Sequence, residues 1–207
     1  AEASIDFTDI ADLDPEDKDW IKDLDVDRKG NILPTSDNFL RIMRNDKLLA
    51  NLGGYNEFNH RPEVSGSLPW TKERDSKSWT DTDDAGLRHY IETVYKITGA
   101  GKCADALALI HEANKFHPVR SFLDSLEWDG IPRLDTLFID YLGAEDCEYI
   151  RQVTRKAFTA AVARIYQPGC KFDYMATLTG IQGIGKSTLI KKMGDPWYSD
   201  TITTVSG

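Results

Sequence analysis

The chain has 207 residues, of which 41% are hydrophobic and 10% aromatic, enough to bury one good core or two modest ones. Its formal net charge of −9 opposes general nucleic-acid binding, because neutralisation of phosphates dominates that affinity. No run of 18 apolar residues occurs, and the acidic start lacks the basic and apolar regions of a signal peptide. We therefore expect a soluble, cytoplasmic, globular protein.

The cysteines and histidines suggest no metal site or disulfide. The cysteines are odd in number, widely spaced and without a C-x-x-C pair, which favours free reduced thiols. They are Cys103, Cys147 and Cys170. The histidines lack the close pairing of metal ligands, so we expect surface or packing roles for them. They are His60, His89, His111 and His117.

The first thirty residues hold 11 acidic and 4 basic side chains. Residues 1–19 are also poor in large apolar side chains, so we expect a loosely ordered acidic arm. Apolar and polar residues alternate from Leu24, a turn is expected over residues 28–31, and an apolar run resumes at Ile32. Together these features predict a short hairpin. The aspartates of this segment have the spacing that begins a calcium-binding loop. The positions that require glycine and glutamate hold Arg28 and Pro34, so we do not expect calcium binding here.

Apolar spacing predicts three helices and two short strands in the next hundred residues. The first helix starts at Ser36 or Asp37, runs to Leu49 and ends before Gly53 and Gly54. The strands, Tyr55–Phe58 and Arg61–Val64, follow it. A second helix opens at Asp83 or Asp84 and closes at 99–101, and a third covers 103–114. This order over residues 20–127 resembles a winged-helix-like module, a type that often binds nucleic acid or a partner protein.

The second half of the chain is also predicted to be helical. Pro118 and Pro132 stand at the first turns of two short helices. Trp128 lies in the turn between them, and we expect it to anchor the core. A long helix covers residues 148–165, and its expected apolar face comprises Val153, Phe158, Ala161, Val162 and Ile165.

Residues 151–192 hold 8 basic and 1 acidic side chains, the reverse of the acidic start. The basic residues of the long helix form either a solvated face or a surface for a polynucleotide; they are Arg151, Arg155, Lys156 and Arg164. Arg120, Asp129 and Arg133 either pair with one another or contact DNA or nucleotide. We expect Lys191 and Lys192 to be solvated.

Residues 180–188 match the phosphate-binding pattern G-x-x-x-x-G-K-[ST] at every fixed position. Residues 174–179 before the motif predict a buried strand, and residues 187–193 after it predict the start of a helix. The expected nucleotide-binding residues are Gly180, Gly183, Ile184, Gly185, Lys186, Ser187 and Thr188.

Each residue type in this motif has a physical reason. Glycines let the main chain approach phosphate closely, so that backbone N–H groups converge on the anion at a helix N-terminus. Lys186 would reach the β and γ phosphates, and the Ser187 hydroxyl would bind Mg²⁺. The sequence therefore predicts binding of ATP with Mg²⁺ and assigns no catalytic residue.

From Phe116 onward the chain resembles the virulence-associated protein E family. The resemblance rests on residues 117–120, 126–130 and 171–175 together with the motif at 180–188, and it extends more weakly back to residue 20. It implies a phage-like replication ATPase, helicase-like and associated with a primase, which forms a ring on DNA. It also implies that residues 128–207 are a helical lead-in followed by a P-loop NTPase domain.

Nineteen residues follow Thr188, fewer than the parallel sheet of such a domain requires. We therefore expect a fragment that is truncated inside its nucleotide-binding domain and does not hydrolyse ATP on its own. The expected fold is mostly α with small β-hairpins, continuing into the first strand-loop-helix of an α/β P-loop domain. The alternative function is a recruitment module that binds DNA or protein and carries a non-hydrolysing P-loop switch.

Overall fold

The structure, a computed structural model, describes residues 15–71 and 73–199. The chain divides into two compact units, Ala1–Ser121 and Phe122–Gly207. Most of the acidic arm predicted for residues 1–19 lies outside the described residues, and its last part begins a 3-10 helix, Pro15–Asp23.

The first unit contains three long helices and a two-stranded sheet. In chain order its main elements are α1 (Ser36–Asn45), β1 (Gly54–Asn56), β2 (Arg61–Glu63), α2 (Asp81–Tyr95) and α3 (Ala100–Ala113). A short helix, α4 (Pro118–Asp124), contains the boundary between the units. The second unit contains α5 (Leu137–Leu142), α6 (Glu148–Tyr166) and α7 (Lys186–Gly194).

The core of the first unit lies where α1 and β1 pack on α3, with α2 alongside. Strands β1 and β2 are antiparallel and join through a turn in which His60 has a φ of 57°. The largest fully buried side chains of this core include Phe39, Ile42, Leu49, Leu52, Leu87, Tyr90 and Ile91. Both predicted strands form, but β1 begins one residue earlier and ends two residues earlier than predicted, and β2 ends one residue earlier. The hairpin near residue 30 is confirmed by an antiparallel bridge between Val26 and Ile32.

The first helix is shorter than predicted, and its cap lies one residue earlier. The Thr35 hydroxyl accepts a hydrogen bond from the Asn38 N–H, so neither Ser36 nor Asp37 is the cap. The helix ends at Asn45 because Asp46 is extended, with a φ of −71° and a ψ of 116°. The Asp46 carboxylate then caps the separate 3-10 turn Lys47–Leu49.

The second helix also begins earlier than predicted. Its cap is Thr80, and Asp83 is the third helical residue, whose carboxylate accepts bonds from the Thr80 N–H and hydroxyl. This capping box explains why an acidic residue inside the helix resembles a cap. The helix ends at Tyr95, because its C-cap Lys96 adopts a left-handed φ of 56°, and it does not continue to the glycines of residues 99–101.

Two predictions for the second unit were wrong. Pro132 does not open a helix; residues 131–136 are irregular, and the helix begins at Leu137. Trp128 is not a core anchor, since 78% of its surface is exposed. Its neighbour Asp129 turns back to accept bonds from the Ile131 N–H and the Arg133 guanidinium, which holds the chain in a turn.

The long helix was predicted to within one residue, but its predicted face is only partly correct. The predicted Val162 is 44% exposed, whereas Thr154 is fully buried and donates its hydroxyl hydrogen to the Ile150 carbonyl. Phe158 contacts Phe138 of α5, with ring centroids 5.7 Å apart. The inward side of α6 is therefore the side that faces α5.

The buried strand predicted at residues 174–179 does not form. This segment is irregular, with Tyr174 81% and Met175 87% exposed. A strand requires a neighbour for its backbone hydrogen bonds. The structure places no such neighbour beside this segment among the described residues.

The chain is thus mostly helical with one small antiparallel sheet, an α+β fold, as predicted. The winged-helix-like arrangement of residues 20–127 stays a prediction. Within the described residues, no helix combines the length and the apolar character that crossing a bilayer requires.

Candidate functional site

The glycine-rich segment of residues 180–188 forms a tight loop that leads into α7. Gly180, Gly183 and Gly185 have φ values of 146°, 91° and 91°. Side chains with a Cβ rarely adopt these angles, so the loop depends on glycine at all three positions. The predicted glycine positions therefore coincide with the backbone turns of the loop.

The surroundings of these glycines differ. A Cβ added at Gly183 or Gly185 would meet no atom within 4 Å, so conformation alone accounts for glycine there. At Gly180 an added Cβ would also lie 3.1 Å from Cδ1 of Ile184. The space beside Gly183 and Gly185 is therefore open to an approaching group.

Backbone N–H groups are available along this loop. Gly185 is the N-cap of α7, and its carbonyl accepts from the Leu189 N–H at 2.9 Å. The N–H groups of residues 185–188 have no acceptor within α7, because the first four N–H groups of a helix precede its first intrahelical bond. A helix N-terminus carries a partial positive charge, and unpaired N–H groups there bind anions.

The three polar residues that follow the glycines occupy the start of α7. The Lys186 ammonium donates hydrogen bonds to the carbonyls of Gly180, at 3.0 Å, and Ile181, at 2.9 Å. It therefore spans the beginning of the loop. Ser187 and Thr188 are exposed, so their hydroxyls are accessible to a ligand. A serine hydroxyl at this position suits Mg²⁺, which keeps most of its waters and takes few protein oxygens.

The other basic residues of the second unit are mostly engaged elsewhere. Arg151 pairs with Asp146 at 2.6 Å, and the Arg155 Nε donates to Asp135 at 2.7 Å. The Arg164 guanidinium donates to the Phe172 carbonyl at 2.7 Å. These contacts favour a structural role for the basic face of α6, because its guanidinium groups are already hydrogen-bonded.

The remaining sequence candidates have local partners or are exposed. Asp129 and Arg133 form a bidentate pair, which holds the pKa of Asp129 down at about 2. Arg120 pairs with Glu57 at 3.5 Å in the first unit. Lys191 and Lys192 are exposed on α7, as expected. Among the described residues no group of three or more potential ligands is placed to hold a metal ion.

Sequence reasoning placed the start of α5 too early, at Pro132, and missed that the end of this helix lines a cavity beside the loop. A signal was present, because Leu134, Leu137, Phe138 and Leu142 have helical spacing and Gly143 follows them. Gly143 closes α5 with a φ of 66° and donates its N–H to the Ile139 carbonyl.

Comparison with known families adds one finding for the region that contains this loop. The virulence-associated protein E-like domain matches residues 123–207. The match covers α5, α6 and the whole glycine-rich loop, and it supports the resemblance to that family. It does not extend over the first unit. No curated protein matches the chain.

Proposed function

We propose that residues 180–188 bind the phosphates of ATP together with Mg²⁺. The observation that carries the proposal is the start of α7, where three glycines at positive φ lead into N–H groups at residues 185–188 that have no acceptor within the helix. Such an array of donors suits an anion with several oxygens. The phosphates of a nucleotide are the anion that this motif is built to hold.

Lys186 and Ser187 complete the proposed site. The Lys186 ammonium, which bonds two loop carbonyls, would exchange these neutral acceptors for the charged oxygens of the β and γ phosphates. Ser187 would contribute its hydroxyl to Mg²⁺, and the ion would supply charge neutralisation between the phosphates. Thr188 would add a phosphate contact.

We propose that this chain binds ATP without hydrolysing it. Hydrolysis needs a second acidic ligand for Mg²⁺ and a group that positions water. No carboxylate lines the cavity beside the loop, where Lys186 is the only ionisable side chain among the described lining residues.

We further propose that the whole protein is a phage-like replication ATPase that acts on DNA, with a primase as partner and a ring as its assembly. The match of residues 123–207 to a virulence-associated protein E-like domain supports this role. A longer protein should show ATPase activity that is stimulated by single-stranded DNA and lost in Lys186→Ala. ATPase activity that single-stranded DNA still stimulates in Lys186→Ala would contradict the assignment as a P-loop ATPase.

The test of phosphate binding is calorimetry of the 207-residue chain with ATP and Mg²⁺. Lys186→Ala should weaken ATP by roughly 10- to 100-fold, because a charge-assisted hydrogen bond contributes about 1.5–3 kcal/mol. The matched control is Lys191→Ala, an exposed lysine of the same helix, which should leave affinity unchanged. Equal affinity in Lys186→Ala and the unmodified chain would exclude the P-loop as the site.

The recruitment function of the first unit remains a second candidate. It is favoured by a core that lies within Ala1–Ser121 and does not include the glycine-rich loop. The acidic balance of the chain makes a protein partner more suitable than DNA. Binding of single-stranded DNA that weakens steeply with salt would instead favour the nucleic-acid version.

A further inference from the structure

A cavity of about 440 Å³ opens beside the glycine-rich loop within the second unit. One wall is the end of α5 with the turn after it, a second is Ile150 of α6, and a third is the segment leading into the loop. The lining includes Phe138, Ala144, Ile150, Thr177, Thr179 and Lys186. The volume lies in the range of pockets that take small molecules.

The lining of this cavity is mostly apolar and includes one charged side chain. Most of its lining is aliphatic or aromatic, and Phe138 is held in place by its contact with Phe158. Lys186 supplies its single charge and belongs to the loop as well. The cavity therefore suits a ligand with a largely apolar group on one side and an anion on the other.

We propose that this cavity holds the base of the nucleotide whose phosphates lie on residues 180–188. The inference rests on the proposed function, since it places the rest of that same ligand. Gly180, Ile181, Ile184 and Lys186 line the cavity and belong to the loop, so the two sites are continuous. A flat heterocycle would bury its faces against the apolar walls.

The polar side chains of the cavity also predict its selectivity. Besides Lys186 they are the hydroxyls of Thr177 and Thr179. A hydroxyl both donates and accepts, so it satisfies the amino group of adenine and the keto group of guanine alike. The cavity is therefore selective for purines, because of their larger apolar faces, and discriminates little between adenine and guanine.

The first experiment uses the unmodified chain and a series of ligands, each with Mg²⁺, in calorimetry. ATP should bind at least about tenfold more tightly than ribose 5-triphosphate, GTP within about threefold of ATP, and CTP more weakly than both. Ribose 5-triphosphate that binds as tightly as ATP would overturn the base site. Binding of inorganic tripolyphosphate that depends on Lys186 would show that the phosphate site still stands.

A second experiment fills the cavity. Ala144→Phe places a large side chain in the wall after α5 and should weaken ATP about tenfold or more without changing tripolyphosphate affinity. The matched control is Ala161→Phe on the exposed side of α6, which should change neither ligand. ATP affinity that survives in Ala144→Phe, or an equal loss of both ligands, would overturn the proposal.

These outcomes separate the two proposals. Failure of every phosphate ligand, including tripolyphosphate, would remove the phosphate site and the base site together. If Ala144→Phe does not fold, the ligand series on the unmodified chain decides the base site alone, since ATP and ribose 5-triphosphate differ only in the base.

Discussion

At the scale of single residues, the buried polar groups of the first unit are paired with one another. The Asp46 carboxylate accepts hydrogen bonds from the hydroxyls of Tyr90, at 2.6 Å, and Tyr95, at 2.7 Å. All three side chains are buried. Burial and the neighbouring carboxylate raise the pKa of both tyrosines well above its usual value. Asp46 thus joins the end of α1 to α2.

Removing the Asp46 carboxylate should be costly. Asp46→Ala removes the carboxylate that accepts from two buried tyrosine hydroxyls, and a hydrogen bond lost from a buried group costs about 1–3 kcal/mol. We expect a loss of about 3 kcal/mol in the free energy of unfolding, measured by urea denaturation. The control Asp37→Ala removes an exposed carboxylate that pairs with Arg41 and should cost under about 1 kcal/mol. Equal losses in the two variants would contradict the pairing argument.

His111 is a buried histidine whose ring nitrogen Nε2 lies 3.1 Å from the Leu52 carbonyl. Burial lowers the pKa of His111, although the hydrogen bond to Leu52 opposes the shift. The carbonyl can only accept, so Nε2 carries the hydrogen of this bond. The His111 and Trp79 rings form a T-shaped pair, with centroids 5.2 Å apart.

This lowered pKa makes stability depend on pH. Below about pH 6.5 the unfolded chain binds a proton at His111 before the folded chain does, so stability is lost as pH falls. Relative to His111→Gln, the unmodified chain should lose up to about 1.4 kcal/mol per pH unit in that window. Urea denaturation at pH 7.5 and 5.5 measures this difference, with His89→Gln as the exposed control. Parallel pH profiles for the unmodified chain and His111→Gln would contradict the assignment.

At the scale of elements, the approach of β1 to α3 depends on the absence of a side chain. A Cβ added at Gly54 would lie 1.8 Å from the Asn114 carbonyl oxygen, a backbone atom that cannot move without displacing the end of α3. The strand therefore contacts the helix through bare backbone. The Asn114 side chain adds a hydrogen bond to the Gly53 carbonyl at 3.2 Å.

This contact predicts opposite effects for the same substitution at two glycines. Gly54→Ala should lower the free energy of unfolding by about 3 kcal/mol or more, because it overpacks the junction of β1 and α3. Gly101→Ala should raise it by roughly 0.5 kcal/mol, since that position lies in α3 with nothing within 4 Å of the added Cβ. Thermal unfolding measures both, and a neutral Gly54→Ala would show that the two elements separate easily.

Helices with strong apolar spacing were predictable and short or unpaired elements were not. The sequence places α3 and α6 within a few residues, because a long repeating face is a local property. The start of α2 was misplaced because Asp83 looks like a cap although it is the partner of one. The strand at residues 174–179 failed because pairing is not local and depends on a neighbouring strand.

At the scale of the whole molecule, the buried core is concentrated in the first unit. In the described part of the second unit, Phe138 is the only buried hydrophobic side chain. Exposed apolar side chains are common there, among them Trp128, Tyr149 and Ile181. Burial of apolar surface is the main favourable term in folding. The first unit therefore gains more stabilisation from its own core than the second unit does.

We predict that residues 1–121, produced alone, unfold cooperatively. Their core includes the contacts among α1, α2, α3 and β1 that organise the first unit. Hydrogen exchange should show the same protected amides in α1 and α3 as in the full chain. A gradual transition, or loss of that protection, would mean that the unit depends on residues after Ser121.

The sequence by itself determined the long helices, the hairpins and the glycine-rich loop, because propensity, periodicity and the glycine requirement are properties of neighbouring residues. Only the tertiary structure decided that Trp128 is exposed, that Asp46 joins two tyrosines, and that the end of α5 forms a wall beside the loop. These facts depend on groups that are far apart along the chain. They result from tertiary packing of side chains, which local sequence patterns do not specify.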